Sequence, residues 1–297
     1  MKLGIDMGGT KIEAAAVDSE GKIHFRERIP TPDNYESLVR AVADLGRGIA
    51  NQSGAPMRLG IGMPGSESPA TGLVRNSNTT FLNGKPLRRD LEAAFGAPVH
   101  LANDANCFAL SEAVGGAGAG ASSVFGVILG TGCGGGVVID GKLIDGANGI
   151  AGEWGHIPLP WQTPEEYPGA QCWCGRLGCQ EMWLSGTGLE ADYKRLSGQE
   201  IDGKEIAALA SKGDAIAQMT LDRLSDRLAR ALSVIAMAWD PEVIVLGGGV
   251  SNIEWIYAPT AAALERYAFS DSYKAKIVKN KFGDSSGVRG AAWLWRE

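Results

Sequence analysis

Three glycine clusters carry the clearest chemical signal in this sequence: Gly8-Gly9-Thr10-Lys11, Gly130–Gly136 and Gly247-Gly248-Gly249. Each directly follows a short apolar run, at Lys2–Asp6, Ser123–Leu129 and Val243–Leu246 respectively. Glycine lets backbone N–H groups converge without an intervening Cβ, and such concave arrays hold phosphate oxygens. One loop alone reads equally as a tight turn. Three of them, two opening hairpins, predict phosphate binding. Gly130-x-Gly132-x-x-Gly135 has dinucleotide spacing, but the strand-like Val137–Asp140 follows where that fingerprint needs a helix. No GxxxxGK[ST] occurs, because every Gly-Lys pair is followed by Ile, Pro, Leu or Glu. Dinucleotide and P-loop sites are therefore set aside.

The second signal is thiol chemistry. The five cysteines are Cys107, Cys133, Cys172, Cys174 and Cys179. An odd count with three crowded into eight residues fits a metal site better than a disulfide framework. Cys172-x-Cys174 is tighter than the common CxxC. The segment before it carries Pro158, Pro160, Pro164 and Pro168 with little helix or strand pattern, so a metal clip is expected to order it. A third candidate is Asn103-Asp104, where a short strand passes into a helix. Asp104 reads as a helix cap or as a carboxylate kept ionised at a helix N-terminus.

Lys and Arg number 28 against 34 Asp and Glu, a net charge of −6, with no basic block. That argues against nucleic acid and anionic membrane as partners. The opening MKLGIDMGGT has no secretory pattern, and the longest largely apolar stretch, Leu232–Trp239 with Ser233 inside it, is eight residues, far below the ~18 of a membrane span. A reducing cytoplasm is the expected location.

These groups must be positioned by an α/β framework. The chain has 297 residues, 44% of them hydrophobic, enough for two domains of about 150 residues. Strands are predicted at Lys2–Asp6, Ile12–Asp18, Lys22–Ile29, Met57–Met63, Val99–Ala102, Ser123–Leu129, Val137–Asp140 and Val243–Leu246. A helix opened by Asp33, with Glu36 completing a capping box, carries Leu38, Val42, Leu45 and Ile49 on one face. Further helices are predicted from Pro86 to Gly96, over Asp104–Val114 and Ala215–Trp239, and near Ser286–Trp295. Ile5–Gly9 and Val17–Ile23 find counterparts in Ile128–Gly132 and Ile139–Leu143, an offset of about 120 residues. A unit of strand, glycine loop, strand, turn and strand is thus repeated.

Taken together, Asp6–Lys11, Asn103–Asn106, Gly130–Gly135, Gly152–His156, Cys172–Glu181 and Gly247–Gly249 resemble the ROK family of sugar kinases and repressors, in family order over essentially the whole chain. Asn76–Gly84, the Asp-Ala-Asn-Cys run and Gly283–Trp293 look most like bacterial fructokinases with mannokinase side activity. The resemblance implies two ribonuclease-H-like, actin/hexokinase-type domains with an interdomain cleft: residues 1–113 plus 284–297, and 114–283 bearing the metal loop. It implies ATP-dependent phosphorylation of a hexose at its 6-hydroxyl, D-fructose first, with mannose, glucose or N-acetylglucosamine as alternatives. Repressors of the family carry a helix-turn-helix before the first strand, which here begins at residue 2, so direct DNA binding is not expected; a homodimer is.

By the same resemblance Asp104 is the base. Gly65, Asn78, Asn103, Glu153, His156 and Glu181 meet the sugar. Asp6 orders water around Mg2+, and Gly8, Gly9, Thr10 and Lys11 approach the ATP phosphates. Gly130, Thr131, Gly132 and Gly134 take the phosphates from the second loop, and Gly247, Gly248 and Gly249 lie under adenosine. His156, Cys172, Cys174 and Cys179 become the ligands of a structural Zn2+, with one imidazole nitrogen for metal and the other for sugar.

Overall fold

The computed structural model describes residues 1–295; Arg296 and Glu297, included in the expected small domain, lie outside the described residues. In chain order the strands are β1 (Lys2–Met7), β2 (Lys11–Val17), β3 (Ile23–Pro30), β4 (Leu59–Met63), β5 (Ser66–Glu67), β6 (Val74–Arg75), β7 (Val99–Asn103), β8 (Ser123–Leu129), β9 (Cys133–Ile139), β10 (Lys142–Leu143), β11 (Val243–Gly247) and β12 (Ile277–Lys279). The helices are α1 (Tyr35–Ser53), α2 (Leu87–Phe95), α3 (Asp104–Val114), α4 (Glu181–Leu184), α5 (Gly186–Ser197), α6 (Gly203–Ser211), α7 (Ala215–Trp239), α8 (Tyr257–Tyr267) and α9 (Ser286–Trp293).

The expected repeat is present in the topology. One sheet runs β3-β2-β1-β4-β7 and the other β10-β9-β8-β11-β12. Within each, the glycine-loop strand pairs parallel with the next strand of the sheet. The chain divides into two compact units, Met1–Gly120 with Gly136–Gly152 and Phe282–Glu297, and Ala121–Gly135 with Glu153–Lys281.

In the first unit, α1 buries Leu38, Val42, Leu45 and Ile49 as its periodicity predicts, against Leu3, Ile5, Leu59 and Ile61. Its cap is Asn34, whose side chain accepts from Ser37 N at 3.0 Å, so the cap falls one residue after the expected Asp33. Helices α3 and α9 pack together, and α9 also lies on β1, β2 and β4. The approach is close: a Cβ on Gly60 would sit 1.8 Å from Ala291 O, so only glycine fits there. In the second unit, β8, β11 and β12 are parallel. Helix α7 packs against α5, α6 and α8, with Leu221, Leu224, Leu228 and Leu232 buried. The expected strand Val137–Asp140 starts four residues early, at Cys133, because Cys133–Gly136 is extended and paired rather than looped; the second glycine loop is therefore only Gly130–Gly132, and Gly134 lies in a strand.

Candidate active site and metal centre

In the first unit the glycine loop is the β1–β2 hairpin tip. Gly8 N donates to Lys11 O at 3.0 Å, and the Thr31 hydroxyl donates to Gly8 O at 2.7 Å. These bonds turn the loop so that Gly9, Thr10 and Lys11 are exposed. Asp6, at the end of β1, stands opposite Glu13 of β2 and level with Gly62 of β4. Glu13 is buried and paired with Arg26 and Arg28. Burial first, then the charges of Asp104 and Glu13, push the Asp6 carboxyl up to about 7, against Lys11 and Arg28.

Asn103 caps α3: its Oδ1 accepts from Ala105 N at 2.9 Å and its Nδ2 donates to Gly65 O at 3.1 Å. The cap function that Asp104 could have served thus belongs largely to its neighbour. Asp104 is the first residue of the helix and is exposed, its Oδ1 accepting from Ala105 N at 2.8 Å. Gly65 and Asn103 come together as expected. Asn78 is exposed on a loop closed by Asn83, whose side chain accepts from Ser77 N and donates to Ser77 O, both at 2.9 Å.

In the second unit two glycine loops adjoin. Gly248 has φ +80°, and a Cβ there would meet Leu129 O at 2.5 Å and Gly130 N at 2.9 Å. The start of α5 closes on the same loop: Gly186 N donates to Gly130 O at 2.7 Å, and the Thr187 hydroxyl to Thr131 O at 2.9 Å. Sequence reasoning passed over Gly186 and Thr187, whose only signal is a Ser-Gly-Thr-Gly run. Gly134 O accepts from the Trp154 indole at 2.9 Å. Glu181, at the start of α4, joins this loop to the cysteine segment. Its Oε2 accepts from Cys133 N at 3.0 Å, and its Oε1 accepts from the Trp173 indole at 2.8 Å. Glu153 is half-buried, one residue before the short turn Trp154–His156. Glu153, His156 and Glu181 thus fall in one unit, and Gly65, Asn78, Asn103 and Asp104 in the other.

The four expected metal ligands converge. One ligand atom from each of His156, Cys172, Cys174 and Cys179 lies within 4.8 Å of the others. His156 Nδ1 is 3.6 Å from Cys172 Sγ, and the Cys174 and Cys179 sulfurs are 3.6 Å apart. Zn–S bonds of about 2.3 Å in a tetrahedron give edges of about 3.8 Å, so the cage fits that ion. Burial and the neighbouring Cys174 and Cys172 thiols push Cys179 up to about 12, a crowding that a cation relieves. Because Nδ1 faces the cluster, Nε2 is the imidazole nitrogen left for a partner outside it.

The proline-rich segment has a second anchor that its sequence did not disclose. Glu166 is buried among α7 arginines: Oε1 accepts from Arg227 Nε and Arg230 Nη2, both at 2.8 Å. Its Oε2 accepts from Arg230 Nη1 at 2.9 Å and from Thr163 N at 3.0 Å. Arg230 also holds Pro160 O and Trp161 O, at 3.1 and 2.9 Å. The arginine clamp thus stands beside the expected metal clip as a second anchor of this segment.

The family model described as "ROK family" matches residues 2–297. An N-acetyl-D-glucosamine kinase of Vibrio parahaemolyticus is 43% identical over 99% of both chains. Among solved structures, a ROK hexokinase from Thermus thermophilus superposes with a TM-score of 0.87 at 33% identity, covering 99% of this chain and 98% of that one. A ROK family glucokinase from Streptomyces griseus, in complex with glucose and AMPPNP, gives 0.79 at 31% identity with the same coverage.

Proposed function

The chain belongs to the ROK family, and from that premise we propose that it is an ATP-dependent hexose kinase whose acceptor is N-acetyl-D-glucosamine. The observation that carries the sugar is the 43% identity, across 99% of both chains, with a relative named for that substrate. This reading replaces the fructose expected from Asn76–Gly84. Much of that stretch is spent on closing its own loop through Asn83 and Ser77, so its resemblance to fructokinases carries less about the hexose.

ATP supplies the transferable phosphoryl group. Asp104 accepts the proton of the sugar's 6-hydroxyl as that oxygen bonds to the γ-phosphorus; the bond from phosphorus to the bridging oxygen breaks and ADP leaves. Asp104 is exposed at the first residue of α3, where the helix N-terminus favours a negative charge. Glu153, the Nε2 of His156 and Glu181 take the other sugar hydroxyls. Gly8–Lys11 and Gly130–Gly132 present backbone to the phosphates, and Gly247–Gly249 is the adenosine side. Asp6 would order water around a Mg2+ that neutralises phosphate charge. His156, Cys172, Cys174 and Cys179 hold a Zn2+ that is structural, since four protein ligands leave no position for a reactant.

A coupled assay with ATP and a hexose panel tests the reading. N-acetyl-D-glucosamine should give the highest kcat/KM. A panel led by fructose would restore fructokinase, and a panel with no phosphorylated hexose would remove the kinase reading.

A further inference from the structure

Trp173 lies between two members of the metal cage, Cys172 and Cys174, and its side chain is 64% exposed. A tryptophan that merely tolerates exposure gives its N–H to water. This one gives it to a carboxylate: Nε1 to Glu181 Oε1 is 2.8 Å. Its ring also meets the His156 imidazole edge-on, with centroids 5.0 Å apart and planes at 85°. The backbone beneath it is fixed by the turn in which Cys172 N donates to Arg176 O at 2.8 Å. One indole therefore touches both His156 and Glu181, and it is carried by the segment that holds the cage.

We propose that Trp173 is a positioning residue for hexose binding, locking the rotamer of Glu181 and the tilt of His156 so that their remaining acceptor and donor positions face the sugar. The proposal rests on the hexokinase reading of this site. A carboxylate offers about four acceptor positions. Trp173 takes one on Oε1, the Cys172 sulfur lies 3.7 Å from that same oxygen, and Cys133 N takes one on Oε2, which leaves a lone pair on Oε2 for a hydroxyl. Without the indole N–H, Oε1 keeps only the long sulfur contact of Cys172, and the carboxylate turns more freely about its terminal bond. Sugar binding then bears the cost of ordering it, while the nucleotide side is untouched.

The experiment compares the wild-type holoenzyme with Trp173→Phe, which keeps the ring and deletes the N–H. Calorimetric titration with N-acetyl-D-glucosamine and the other panel hexoses, without ATP, should show about tenfold weaker binding in the variant, the size of a hydrogen bond to a charged group. The KM for ATP and the zinc content should be unchanged. Equal hexose affinity in both proteins overturns the proposal alone. Zinc loss in Trp173→Phe overturns it as well, because the indole would then act on the cage. A wild type that binds no hexose overturns the hexokinase reading and the proposal with it.

Discussion

Asp6 and Glu13 face each other across the β1–β2 ladder, two carboxylates paired in one register position, with Arg28 opposite Glu13 on β3. Arg26 and Arg28 neutralise Glu13. Asp6 is left to titrate near 7 among Asp104, Glu13, Lys11 and Arg28. Its native pKa lies above the unfolded value of 3.8, so the native state binds the extra proton between those pH values. Stability is therefore greatest below the unfolded value and falls as pH rises toward 7. Asp6→Asn should abolish turnover yet be more stable than wild type at pH 8, by about 2–4 kcal/mol after allowance for partial exposure. The gain should disappear near pH 4. Thermal melts at both pH values check this, and a constant gain would mean that repulsion at Asp6 is not titratable.

Asp104 and Asn103 separate catalysis from capping. Asp104→Asn should lower kcat by about 10² with hexose affinity largely kept and stability within about 0.5 kcal/mol. Asn103→Ala should cost about 1 kcal/mol of stability as a lost cap. It should also raise hexose KM, because Gly65 O loses its donor. Steady-state kinetics and denaturant melts on the two variants read the contrast. Wild-type turnover in Asp104→Asn would make that residue a helix terminus and nothing more.

Gly132 belongs to the loop expected to meet phosphate, but its nearest side-chain neighbour is Glu181, the residue proposed to take a sugar hydroxyl. A Cβ there would lie 2.7 Å from Glu181 Oε2. The obstructed group is the end of a flexible side chain, so Gly132→Ala should fold and push Glu181 aside. Hexose KM should rise at least about tenfold, the cost of one charged hydrogen bond, alongside any loss in ATP affinity. A variant with weakened ATP binding and unaltered hexose KM would show that Glu181 moves without consequence.

The sequence was most legible where local chemistry dictates structure. The Leu38, Val42, Leu45 and Ile49 stripe, the Gly96 helix stop and the repeated glycine hairpins required no long-range information, and they are present. The thiol cage was half-legible: Cys172, Cys174 and Cys179 are sequence neighbours, whereas His156 entered through family resemblance. What was missed depends on separation along the chain. Glu166 meets Arg227 and Arg230 more than 60 residues away, and no spacing rule links them. Helix α5 opens with Gly186-Thr187-Gly188, poor helix formers that mask its start. Its cap, Ser185, accepts from Gly188 N at 3.1 Å. Trp173 carried no signal of its own in the sequence, because its partner, Glu181, is reached only when the cysteine turn closes.

The two anchors of the proline-rich segment make metal loss and segment loss separable. Burial tends to raise the Glu166 carboxyl, but hydrogen bonds from Arg230 and Arg227 prevail and hold it at about 2. A depressed carboxylate contributes stability that is complete above its unfolded value of 4.5 and is lost as pH falls toward 2. The cage fails earlier on acidification, because its thiolates must stay deprotonated to hold zinc. Acid titration of the holoenzyme should therefore release zinc first, with hexose KM rising more than ATP KM, while residues 157–171 stay protected from protease. Protection should then fail only as pH falls toward 2, where Glu166 protonates. Glu166→Ala should lose that protection at neutral pH once zinc is chelated, at a cost of about 3 kcal/mol for two arginines left without their shared carboxylate. Chelated wild type should remain resistant. Limited proteolysis with zinc analysis on the same samples decides the matter: if the chelated wild type is cut as fast as chelated Glu166→Ala, the metal alone orders the segment and the arginine clamp contributes nothing to it.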